Sequence, residues 1–111
     1  MPGILAFIES RDGEARNVSW EVVTAARKLA DALGVEVHAV VLGGAGAGGG
    51  AGEAGKYGAD SVFVGESEAL AKYSPEGYTA VVVSFIEAHG CDVAVFPATA
   101  MGKDLAPRVA A

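Results

Sequence analysis

Cysteine occurs once in the 111 residues, at Cys91, so no disulfide can close within the chain. A reducing cytoplasm is the compartment this implies. Basic residues are also scarce: eight stand against fourteen acids, for a net charge of −6. They are scattered from Arg11 to Arg108 and build no basic face, which argues against nucleic acid as a partner. No apolar run approaches the ~20 residues of a membrane span. Nothing basic precedes the first apolar run, as a signal peptide would require. The two histidines, His38 and His89, have no second histidine or cysteine at ligand spacing, so both are read as structural. No Ser-His-Asp or Cys-His pairing can be nominated, and Cys91 is read as a small apolar residue. What the chain does have is 51% hydrophobic residues, enough for one domain's core, and sixteen glycines.

Strand and helix signals alternate along the chain. Ile4–Glu9 reads as a buried strand and Ser10–Asn17 as a charged turn around Asp12-Gly13. A helix is expected from about Ser19, taken as N-cap, to Leu33, with Val22, Ala26, Leu29 and Leu33 as its apolar stripe and Gly34 as its stop. Val35–Leu42 reads as the second strand, Glu53–Tyr57 as a short helix, and Ser61–Val64 as the third strand. Gly65–Tyr73 reads as a polar connection. Ser74-Pro75-Glu76 then opens a helix whose face carries Tyr78, Val81, Val82, Phe85 and His89. The β-branched content of Thr79–Ile86 also suits a strand, but length and the start signal favour the helix. Asp92–Phe96 is the fourth strand. A last helix is placed near Lys103 or Asp104, because a proline inside a helix costs about 3 kcal/mol and Pro107 therefore belongs in a first turn. The strands are continuous apolar runs, as in a parallel sheet covered on both faces. The expectation is an α/β fold: a three-layer, doubly wound parallel sheet with strand order 3-2-1-4.

Three motifs bear on chemistry. Gly44, Gly46 and Gly49 satisfy G-x-G-x-x-G, but the 13-residue window from Gly43 to Gly55 holds eight glycines, so the pattern carries little information. It also follows the second strand rather than the first, and is read as a flexible loop. Glu9, Asp12 and Glu14 are read as a solvated acidic loop. Thr99, Gly102, Lys103 and Asp104 form the candidate anion or nucleotide pocket. They follow the fourth strand, where open α/β sheets bind ligands, and Lys103 could attract an anion. A tight strand-to-helix turn, with Gly102 for backbone freedom and Asp104 as N-cap, explains the same residues without a ligand.

Four stretches in order carry a resemblance. Met101-Gly102-Lys103-Asp104-Leu105-Ala106-Pro107-Arg108-Val109-Ala110-Ala111 resembles the G-R-D-L-A-P-R-[LV]-A stretch of electron-transfer flavoprotein α subunits. Val18-Ser19-Trp20-Glu21 with Thr24–Ala30 is similar to the first helix of that family. Tyr57-Gly58-Ala59-Asp60 and Tyr73-Ser74-Pro75-Glu76-Gly77-Tyr78 fit as well. Lys103 departs from the family's usual arginine, and the glycines of 43–52 replace a more helical sequence.

The resemblance implies a single domain over 1–111, the amino-terminal domain, with an adenine-nucleotide-hydrolase-like fold. It implies a non-catalytic scaffold that packs against the β subunit of a heterodimer. FAD would be held by the carboxyl-terminal domain of the α subunit with the β subunit, and none is expected on these residues. The whole complex would carry electrons from acyl-CoA or other dehydrogenases. The isolated chain is expected to self-associate or to be poorly stable alone, a second copy covering its fourth strand, whose apolar edge lacks lysine and arginine. The alternative is a stand-alone nucleotide-binding module resembling universal stress proteins. Those carry G-x2-G-x9-G-S/T after the fourth strand, where this chain offers only Gly102.

Overall fold

A computed structural model describes residues 3–11 and 13–111. Asp12, the centre of the expected turn and acidic loop, lies outside the described residues, as do Met1 and Pro2. Strand β1 (Gly3–Ile8) is followed by a hairpin of β2 (Ser10–Arg11) and β3 (Glu14–Ala15), then by helix α1 (Val18–Leu33) and strand β4 (Glu36–Gly43). Helix α2 (Glu53–Tyr57), strand β5 (Ser61–Glu66) and a 3-10 turn (Glu68–Leu70) come next. Helix α3 (Pro75–His89), strand β6 (Cys91–Val95) and helix α4 (Ala100–Ala110) complete the chain. The main sheet runs β5-β4-β1-β6 with every pairing parallel, which is the expected 3-2-1-4 order.

The continuous apolar runs do what a doubly covered sheet requires. Ile4, Ala6, Ile8, Val37, Ala39 and Val41 face α1 and α2. Leu5, Phe7, Val40 and Leu42 face α3 and α4 on the other side. All six residues of β1 are buried, because it is central in the sheet. Among the described residues the outer strand β6 pairs with β1 alone.

Helix α1 begins at Val18, with Asn17 at its cap position making no side-chain bond, so Ser19 is not the N-cap. Ser19 instead turns inward, is fully buried, and bonds to the backbone of Glu9. Drawing Ser19 inward fixes the rotation of the helix. The buried stripe is Ser19, Val22, Val23, Ala26 and Ala30, while Leu29 and Leu33 of the expected stripe are 39% and 56% exposed. In α3 the Ser74 cap and Pro75 start stand as expected, and Gly34 and Gly90 close α1 and α3 with positive φ of 70° and 64°. Tyr78 and Val82 are the buried pair of α3, and Val81 faces outward.

The largest revision concerns α4. It starts at Ala100, three or four residues before the expected start, and Pro107 lies inside it. The cap is Thr99, whose Oγ1 accepts from Gly102 N–H at 3.1 Å, not Asp104. Pro107 has no N–H to give the Lys103 carbonyl, and both residues lie on the exposed side of the helix.

One polar clamp ties three elements on the α1 face. Arg27 donates to Asp60 Oδ2 at 2.8 Å and to the Gly58 carbonyl at 3.1 Å. Val37 N–H donates to the same Asp60 oxygen at 2.8 Å. The Val37 bond, with Arg27 adding to it, holds the Asp60 carboxyl below its ordinary pKa. A depressed carboxyl stabilises the fold above its unfolded pKa of about 3.9 and loses that contribution as pH falls through the lower folded value. Asp60→Asn is therefore expected to melt below the wild type at pH 7, with the gap closing as pH falls below about 4. Thermal melts of both proteins between neutral and strongly acid pH check this. A gap that stays constant would place the contribution elsewhere.

Candidate functional site

The order β5-β4-β1-β6 reverses direction at β1. From β1 the chain moves to β4 and then β5 on one side, and it returns to β6 on the other. At such a switch point the carboxyl ends of the two diverging strands open a crevice, the usual ligand position in this architecture. Here the crevice lies between the ends of β1 and β6, and Thr99 stands beside it at the head of α4.

The structure disperses the four residues nominated from sequence. Thr99 faces the crevice. Gly102 is buried against the Pro97 carbonyl, where an added Cβ would fall 1.8 Å from Pro97 O. Close approach, not backbone freedom, is thus what requires glycine there. Lys103 is exposed on α4. Asp104 turns to the other side of the helix, accepting from Tyr73 Oη at 2.6 Å and from Arg108 Nε at 3.1 Å. These donors hold the Asp104 carboxyl below its usual range, Tyr73 contributing most. Burial, aided by the bond to Asp104, pushes the Tyr73 phenol up to about 12. Asp104 is therefore a pin between α4 and the segment before α3.

What meets Thr99 in the crevice is Glu9, which was read as solvated. It is 1% exposed. Thr99 Oγ1 donates to Glu9 Oε1, and Arg16 donates to Oε2 at 2.8 Å, with Arg11 at 3.9 Å. The reading failed because the turn after β1 folds into the β2–β3 hairpin. That hairpin brings Arg16 back over the strand end, with its N–H on the Glu9 carbonyl at 2.8 Å. One signal was available: Glu9 directly continues the alternation of Leu5 and Phe7, which puts it on the α4 side.

The glycine-rich segment spends several of its amides within the chain. Its amides are used in successive turns: Ala47, Gly49, Ala51 and Glu53 each donate to the carbonyl three residues earlier. Gly48 N–H donates to the Glu66 carboxylate at 3.0 Å, which places negative charge where a phosphate would sit. Ala47, Ala51 and Ala54 are buried and anchor the segment to the core.

The histidines do come together, with ring centroids 6.0 Å apart among Phe63 and Phe85. His38 Nδ1 is 2.7 Å from Ser61 Oγ. Among the described residues no group of three or more His, Cys, Asp or Glu side chains could hold a metal ion. Cys91 is buried, and that burial, with Asp92 beside it, pushes its thiol up.

The family model described as electron transfer flavoprotein domain matches residues 4–111. The chain belongs to the electron transfer flavoprotein family. It is 36% identical over 113 residues to an electron transfer flavoprotein subunit alpha of Clostridium acetobutylicum, covering 98% of this chain and 32% of that relative. The Bacillus subtilis subunit alpha is 39% identical over 115 residues, with 97% and 32% covered. Protein FixB of Azorhizobium caulinodans is 38% identical over 109 residues, with 96% and 30% covered. This chain thus spans about a third of the length of the curated relatives it matches. In this electron transfer flavoprotein domain, one of the four stretches that carried the resemblance forms α4. Its Gly102 packs on Pro97, its Asp104 pins Tyr73, and its Arg108 bridges to that aspartate. Among the described residues no helix is long and apolar enough to cross a membrane.

Proposed function

We propose that this chain is the non-catalytic scaffold and subunit-interface domain of an electron transfer flavoprotein α subunit. In that reading FAD is held outside residues 1–111, by further α-subunit sequence together with the β subunit. The assembled protein takes electrons from dehydrogenases, acyl-CoA dehydrogenases among them, and passes them on through the flavin. The observation that carries the reading is the family match over residues 4–111. Two features favour an interface role. Among the described residues the outer edge of β6 is unpaired, and an apolar groove of about 400 Å³ beside it is lined by Ile86, Val93, Phe96 and Val109 among others.

The test uses three titrants. Mixed with FAD and passed over gel filtration, the chain is expected to elute colourless and redox-silent. Mixed with a purified β subunit of a close relative, it is expected to co-elute as a one-to-one complex. Calorimetry with AMP is expected to show no tight binding. Stoichiometric co-eluting flavin would sink the scaffold reading. Micromolar AMP affinity, about −8 kcal/mol, would favour a nucleotide-binding module instead.

A further inference from the structure

The crevice between β1 and β6 has the parts of an anion site. Thr99 offers a hydroxyl, Arg16 and Arg11 offer guanidinium groups, and the first turn of α4 stands behind Thr99. A carboxylate already sits among them. We propose that the Glu9 side chain is the built-in anion of this crevice, holding the position a phosphate or carboxylate ligand would take and keeping such ligands out.

The wiring of Glu9 supports this assignment. A carboxylate this deeply buried needs donors on both oxygens, and both have them: Thr99 on Oε1, Arg16 on Oε2, with Arg11 3.9 Å from Oε2. The backbone of the same residue is also fastened. Its N–H donates to Ser19 Oγ at 2.8 Å, and its carbonyl accepts from Arg16 N–H at 2.8 Å and from the Ser19 hydroxyl at 3.3 Å. Thr99 is the link to the helix. Its Oγ1 accepts from Gly102 N–H while donating to Glu9, so the positive end of α4 acts on the carboxylate through one hydroxyl. An outside ligand would meet the same donors in the same place. One residue therefore joins β1, the β2–β3 hairpin, α1 and α4, and closes the crevice while doing so. The inference does not depend on electron transfer or on any partner subunit, and it stands or falls separately from them.

Anion rescue tests it. Glu9→Ala removes the carboxylate and leaves its donors. Thermal melts of wild type and E9A would be recorded in chloride, formate and inorganic phosphate at matched ionic strength. The wild-type response subtracts the general stabilisation that salts such as phosphate give any fold. The expected result is a lower midpoint for E9A in chloride. Formate or phosphate should raise it by about 3 °C or more, with saturation, as a ligand bound only by the native form does. Adding Thr99→Val to E9A should remove the rise. A folded E9A with equal corrected midpoints in all three salts overturns the proposal, as does a wild type that gains as much as the variant. If E9A does not fold in chloride, recovery of a cooperative melt in formate or phosphate supports it, and failure of both to restore one overturns it.

Discussion

Gly102→Ala is expected to destabilise the chain by at least about 3 kcal/mol, a large part of the 5–15 kcal/mol that holds an ordinary domain together. The added Cβ would fall 1.8 Å from Pro97 O and 2.9 Å from Pro97 C. Both are backbone atoms, so no side-chain rotamer can relieve the clash, and α4 must move away from the end of β6. Overpacking of this kind costs about 1–3 kcal/mol. Two further losses follow from the same movement. Gly102 N–H leaves Thr99 Oγ1, and a lost N-cap costs about 1 kcal/mol. Leu105, fully buried on the next turn, is also lifted from the core. Gly55→Ala is the control. It lies in α2, and nothing stands within 4 Å of its added Cβ. There the expected change is a gain of about 0.5–1 kcal/mol, the ordinary helix preference for alanine. Urea unfolding of both variants against the wild type decides it. A G102A midpoint within about 1 kcal/mol of the wild type would mean that the α4–Pro97 contact is not what it looks like here.

The sheet was legible because burial on both faces writes itself into composition. Residues 4–8 and 37–42 are nearly unbroken apolar runs, and no other arrangement of an α/β chain buries them. Helix ends with local causes were legible too. Ser74 with Pro75 opens α3, and Gly34 and Gly90 close α1 and α3. The face and start of a helix were less so wherever tertiary contacts decide them. Leu29 and Leu33 continue the spacing of Val22 and Ala26, yet the bond between Ser19 and Glu9 turns α1 so that Val23 and Ala30 face the sheet instead. At α4 the proline rule put Pro107 in a first turn, whereas the Thr99 cap and the Gly102–Pro97 contact start the helix at Ala100 and leave the proline inside it.

The candidate site was half legible for a similar reason. Thr99 belongs to the crevice by position after the fourth strand, and position can be read from sequence. Glu9 belongs to it only because a two-stranded hairpin returns Arg16 to it across seven residues, and because Thr99 reaches it across ninety. A contact of that separation leaves no local pattern beyond the strand alternation that puts Glu9 on the α4 side. Gly102 and Asp104 have other roles than those given to them. One is a contact of zero side-chain width and the other a pin for Tyr73.

Phe7→Ala is expected to cost about 3–5 kcal/mol, which in a domain of this size leaves little or no cooperative transition at 37 °C. Phe7 is fully buried near the carboxyl end of the central strand β1, on the face covered by α3 and α4. Its ring lies 5.7 Å from Phe96 and 6.4 Å from Tyr78, so it joins the β6 end of the core to α3. Tyr78 cannot slide over to fill the space, because its hydroxyl is tied to the Leu70 carbonyl at 2.7 Å. The cavity therefore stays largely open, and an open cavity puts the cost at the upper end of the range. Phe7→Leu keeps most of the volume and is expected to cost markedly less. Glu9 lies two residues further along, just past the end of β1, so the loosened strand end should also weaken its bonds to Thr99 and Arg16. Combined with Gly102→Ala, the two losses should fall short of their sum, because both empty the cluster that contains Leu105. Denaturant melts of the single and double variants measure this. A Phe7→Ala cost below about 1.5 kcal/mol would show that α3 and α4 collapse onto the sheet without the ring, and that this face is far less tightly packed than its burial indicates.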